Sequence, residues 1–160
     1  MHIQNTNETD VDYCEVEECY KVVRYRDNQR ISVTGLGNLS FDLCLVYTPL
    51  ERTVPRVGKC FVFRNIDTAL EFRGNGIEAY DEEIWYCHGE NLQPIDHILH
   101  WSKIDMQARD FWGTFKSKDV LLERFHKEMA IYPAPWGTML SDSVTLVKCL
   151  YERNNYQKGE

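Results

Sequence analysis

The segment from Gly58 to Glu90 constrains this 160-residue chain more than any other. It holds two apolar runs, Cys60-Phe61-Val62-Phe63 and Ile84-Trp85-Tyr86-Cys87. Both are short, aromatic or β-branched, and bounded by turn residues, which is the pattern of buried strands. Between them, Ile66, Ala69 and Leu70 recur at helical spacing and give one apolar face. Asn65 suits the N-cap, where its side-chain oxygen can accept an otherwise unpaired N–H of the first turn. Asp67 lies near the positive end of the helix dipole. Gly74, with Gly76 behind it, supplies the positive φ that ends a helix cheaply. The segment therefore predicts a strand, a short helix and a second strand as one unit.

The flanking sequence reads mostly as strands before that unit and helices after it. Cys19–Tyr25 predicts a strand centred on Val22 and Val23, turning at Asp27-Asn28 into a second strand over Arg30–Thr34. Asp42–Tyr47 predicts a third, and Pro49 and Pro55 bound a charged loop. After Cys87, the residues His88-Gly89-Glu90-Asn91 predict a turn. Pro94–Trp101 fits either a helix begun by Pro94 or a returning strand, because eight residues do not separate the two periods. Ser102–Gly113 predicts a helix opened by Ser102 and Asp105 as a capping box. A further helix is expected from Ser117 to about Met129, burying Leu121, Leu122, Phe125 and Met129. Tyr132–Thr138 is expected to be a loop, and Ser143–Tyr151 a last strand.

These elements add up to an α+β expectation: one domain over residues 19–151. It would be a mainly antiparallel sheet with the strand-helix-strand unit and two further helices. Residues 1–18 carry six acidic and no basic residues, leaving 18 basic against 19 acidic for the rest of a chain of net charge −7. That block predicts a disordered acidic tail, either solubilising or an arm that meets a basic partner or imitates nucleic acid. Residues 152–160 are expected to fray. A core of near-zero net charge argues against direct nucleic-acid binding through phosphate neutralisation. The sequence has no apolar run near eighteen residues, so no membrane association is expected. It also lacks a basic-then-apolar leader, so a cytoplasmic location is expected. In that compartment the six cysteines are expected to stay reduced, with Cys44, Cys60, Cys87 and Cys149 as core residues.

Chemistry-bearing residues are sparse. Cys87, His88, His97 and His100 are the residues of metal-ligand type that fall near one another, but no cofactor is expected. His97 or His100 beside Asp96, Glu90 or Asp105 could form a base and its orienting carboxylate. If residues 94–101 are helical, Asp96 and His97 both lie near His100 and the metal-type cluster holds together. As a strand, the segment would turn the two histidines to opposite faces. No nucleophile motif and no phosphate-binding loop accompanies them. Aromatic residues offer more. Trp136 stands in a proline-rich loop, where it either contacts a partner or folds back over the core. Trp85 and Trp101 are further candidate contacts, with Arg24 and Arg64 as cations that either meet an anionic ligand or sit solvated on strand faces.

Three stretches carry a resemblance: Tyr20-Lys21-Val22-Val23-Arg24, the run from Phe61 to Phe72, and Ala134-Pro135-Trp136-Gly137-Thr138. Together they resemble small uncharacterised α+β proteins of phages and other viruses, across residues 19–151. The resemblance implies an accessory protein of the host cytoplasm that counters host defence by binding, and it transfers no site residue. The expectation is thus a non-enzymatic binding protein for a host protein or a nucleotide-like ligand, with self-association through its sheet. A small hydrolase or transferase using His97 and His100, and a structural viral protein, are the alternatives.

Overall fold

The computed structural model describes residues 14–32, 45–73, 81–99 and 131–153. Eleven strands and one helix lie among them. The longest strand, β1 (Val16–Arg26), is the axis of the sheet. It turns through Asp27 and Asn28, both at positive φ (51° and 61°), into β2 (Gln29–Ser32). A two-residue hairpin turn needs positive φ at both positions, and Asp and Asn tolerate it better than most residues. β2 pairs next with β3 (Val46–Tyr47), and β4 (Arg52–Thr53) follows after the Thr48–Glu51 turn.

The strand-helix-strand unit is present as β5 (Cys60–Phe63), α1 (Ile66–Arg73) and β6 (Glu82–Glu90). Both strands pair antiparallel with β1, β5 through Tyr20↔Phe63 and β6 along the run from Val16↔Glu90 to Arg24↔Glu82. They therefore run parallel to each other with β1 between them, and α1 supplies the crossover that parallel strands require. Beyond β6 come β7 (Gln93–Pro94), β8 (His97–Leu99), β9 (Ile131–Pro133), β10 (Thr138–Ser141) and β11 (Val144–Tyr151). The large sheet has the order β4-β11-β6-β1-β5-β10-β7, while β8 and β9 pair separately. Pro94 is accommodated because β7 ends that path, where a missing N–H costs no ladder bond on the open side.

Period-two alternation along β1 and β6 divides the interior into two clusters. Cys19, Val23, Trp85 and Cys87 face one side with Tyr47, Cys60, Val62, Met139, Val144 and Leu146. This cluster is enclosed by a circuit of strands. β1 pairs with β2 and β2 with β3; the chain then runs from β3 into β4, which pairs with β11, and β11 with β6. A bond from Leu50 N–H to the Leu146 carbonyl (2.9 Å) ties the connecting turn to β11. On the opposite face Val22, Phe63 and Ile84 pack under Ala69 of α1.

Several expectations are corrected. The described fold is mainly β rather than α+β, with a single short helix among the described residues. The two further helices expected over 102–113 and 117–129 fall outside those residues. Residues His88–Glu90 continue β6 instead of turning, and Asn91, at φ 52°, carries the reversal. Pro94 and His97–Leu99 are strand, with Ile95 and Asp96 connecting them, so the segment is not a helix as far as Leu99. The short strands β4 and β10 were expected to be loop or unassigned. β1 begins at Val16, inside the stretch read as acidic tail, with Glu17 opposite Gly89 and Glu18 opposite His88.

Candidate functional site

The most distinctive surface feature is a turn built on the N-terminal end of α1. Pro135 to Thr138 close a four-residue turn through the Thr138 N–H and hydroxyl, which both donate to the Pro135 carbonyl (3.1 and 2.6 Å). Gly137 occupies the third position at φ +85°, the conformation that a type II turn reserves for glycine. A β-carbon there would lie 2.8 Å from Asn65 Nδ2, so close packing against the residue before α1 also requires glycine. The two neighbouring carbonyls are anchored as well. Trp136 O accepts from the buried Thr68 hydroxyl (2.8 Å), and Gly137 O from the Arg64 N–H (2.8 Å).

Trp136 itself, at the second position of this clamped turn, is 81% exposed. The ring therefore does not fold back over the core. Because the backbone is already fixed by hydrogen bonds, a partner that covers the ring has only the side chain left to order. Covering it would remove on the order of 150 Å² from water, worth about 4 kcal/mol before association costs. Arg64 is exposed, and its backbone N–H bond to Gly137 places it next to the turn.

The other residues singled out from the sequence are placed elsewhere. Trp85 is buried in the enclosed core, its indole N–H donating to Glu83 Oε1 (3.1 Å). Arg24 is buried opposite Glu82 on the helix-covered face and donates to its Oε1 (3.0 Å), with Asp81 Oδ1 at 3.4 Å. Burial pushes the Glu82 carboxyl above its usual range, and the bond from Arg24 opposes that rise. Trp101 and His100 lie outside the described residues. His97 lies on β8 opposite Pro133, and Asp96 is exposed, its carbonyl accepting the Ala134 N–H (2.7 Å). Cys87 and His88 are neighbours on β6 and so point to opposite faces, the thiol into the core and the imidazole to solvent, edge-on to Tyr86. Among the described residues no three His, Cys, Asp or Glu side chains come together as a metal site.

Two groups escaped the sequence reading. Lys21 lies on the core face of β1, 8% exposed, with Nζ donating to the Phe61 carbonyl (2.6 Å) and standing 5.6 Å from the Tyr47 ring centroid. Desolvation lowers its pKa from the usual lysine value. The same burial pushes the Cys19 thiol up to about 12 and raises Cys60 and Cys87 as well, so these thiols are protonated core groups rather than nucleophiles. The second group is Glu83, buried on β6, which joins Arg30, Trp85 and Arg153. Strand alternation could have placed Lys21 and Glu83 on one face, but only with the β1–β6 register in hand.

No protein-family model matches the chain, and neither the curated proteins nor the solved structures compared with it contain a match. Among the described residues, no helix is long and apolar enough to cross a membrane.

Proposed function

We propose that this protein is a non-enzymatic, cytoplasmic binding protein that recognises a protein partner through Trp136. One observation carries the reading: a tryptophan 81% exposed on a turn whose backbone is clamped to α1. Tryptophan is enriched among the few residues that dominate binding energy at protein interfaces. A half-buried ring would instead have fitted a cover for the core. The phage and viral resemblance of residues 19–151 makes a host protein the first partner class to test.

The test immobilises the full chain and compares proteins retained from host-cell lysate by the wild type, Trp136→Ala and Leu50→Ala. Leu50 is a second exposed apolar residue, at the Thr48–Glu51 turn, and serves as the control surface. A partner retained by the wild type and Leu50→Ala but lost with Trp136→Ala is the expected result. Equal retention by all three, or loss with Leu50→Ala alone, removes the Trp136 turn from the site.

A further inference from the structure

At the end of the sheet where β1 turns into β2, two arginines share one carboxylate. Tyr25 and Arg30 are directly opposed across the hairpin, and Glu83 is opposed to Val23 on the other side of β1. Glu83, only 3% exposed, is fully engaged: Oε1 accepts from Arg30 Nε (2.8 Å) and from the Trp85 indole (3.1 Å), and Oε2 from Arg153 (3.0 Å). Each guanidinium also lies over an aromatic ring within cation–π range. Arg30 lies 5.1 Å from the Tyr25 centroid and 5.0 Å from that of Trp85, and Arg153 lies 3.7 Å from Tyr25.

One carboxylate cannot neutralise two guanidiniums, so this group of three carries a net positive charge. Arg30 and Arg153 remain 24% and 30% exposed, and each gives Glu83 one of its nitrogens. The bonds to Glu83 and the ring contacts restrain both side chains, so part of the entropy of presenting their N–H donors is already lost in the free protein. The nearby acidic residues Asp27 and Glu152 are exposed and therefore screened by solvent and salt. Two guanidiniums that share one carboxylate keep further N–H donors, and phosphate oxygens accept from such donors in charge-assisted bonds.

We propose that Arg30 and Arg153, positioned by Glu83 and Tyr25, bind the phosphate group of a small molecule. This site is separate from the Trp136 turn and does not depend on the proposed protein partner.

The experiment titrates the full-length protein with inorganic phosphate at constant ionic strength, following amide chemical shifts. Acetate and a nucleoside monophosphate are titrated in parallel. Saturable shifts with phosphate, weakened at least about tenfold in Arg153→Met, are expected, since charge-assisted hydrogen bonds contribute that much or more. Arg153 follows the last strand, and circular dichroism of the variant checks that the sheet is retained. Arg153→Lys keeps the charge but loses the fork, and is expected to bind more weakly than the wild type. Tighter binding of the nucleoside monophosphate than of phosphate would identify a phosphomonoester as the ligand, and equal binding free phosphate. Shifts that do not saturate, equal binding of acetate, or unchanged phosphate affinity in Arg153→Met would overturn the proposal.

Discussion

Replacing Lys21 by methionine is the sharpest test of how the enclosed core is built. Lysine is rarely buried unless paired, yet Lys21 sits among Cys19, Cys60, Cys87 and Tyr47 with one hydrogen bond to a backbone carbonyl. Methionine fills a similar volume without the amine. Losing the bond to Phe61 O costs about 1 kcal/mol, whereas removing a buried, poorly compensated polar group returns roughly 1–3 kcal/mol. At pH 7 the variant should be between equal to and about 2 kcal/mol more stable than the wild type. The pH dependence supplies the stricter check. The folded pKa of Lys21 lies below its unfolded value of 10.5, so between the two the unfolded chain holds a proton that the folded chain has released. Wild-type stability then gains with pH relative to the variant, by up to about 1.4 kcal/mol per unit within that window. The advantage of Lys21→Met must therefore shrink as pH rises towards 10. Urea unfolding of both proteins at three pH values measures it. A variant less stable by more than about 2 kcal/mol at every pH would show that Lys21 is charged and well paired in the fold, refuting the reasoning.

Other expectations concern the same core and the Trp136 turn. The cysteines respond to pH in the opposite sense. Their folded pKa values lie above the usual 9.0, so their contribution is complete below pH 9 and is lost as pH climbs towards about 12 for Cys19. Alkaline unfolding should be shallower in Cys19→Ala, and an unchanged profile would contradict the burial assigned to that thiol. Gly89→Ala would place a β-carbon 2.8 Å from both Leu92 Cδ2 and Ser141 Oγ, and 3.1 Å from Cys19 Sγ. Such overpacking should cost about 1–3 kcal/mol in chemical denaturation. Trp136→Ala should shift stability by less than about 0.5 kcal/mol because the ring is exposed, and a larger loss would mean that it supports the fold.

How much the sequence revealed depended on whether a signal was local. β5, α1 and β6 were legible because apolar runs, helical spacing and Asn65 all lie within thirty-odd residues. The β1–β2 turn was legible because Asp27 and Asn28 tolerate positive φ. β10 was missed because Thr138-Met139-Leu140-Ser141 mixes polar and apolar residues, although all four are buried: Ser141 is satisfied by backbone groups at Glu90 and Ser143, and Thr138 by Pro135. β4 was missed because a two-residue strand bearing Arg52 has no period to detect. Arg24 was read as a ligand contact or a solvated charge; it is neither, because its register places it opposite Glu82. Trp85 looked like one of several available rings, and the β1–β6 pairing put it inside. The exposure of Trp136 rested on one legible cue, its place between Pro135 and Gly137, whereas the clamp from Thr68 joins residues 68 positions apart. Pairing partners distant in sequence set what is buried here, and no local pattern encodes them.

The most direct test of the binding account places a photo-crosslinking residue at position 64, exposed beside the turn, in cells expressing the protein with or without Trp136→Ala. A covalent adduct of one defined mass is expected with Trp136 present and should disappear in the variant. Adducts that are identical in both backgrounds, or a heterogeneous smear in each, would contradict the claim that Trp136 anchors a partner.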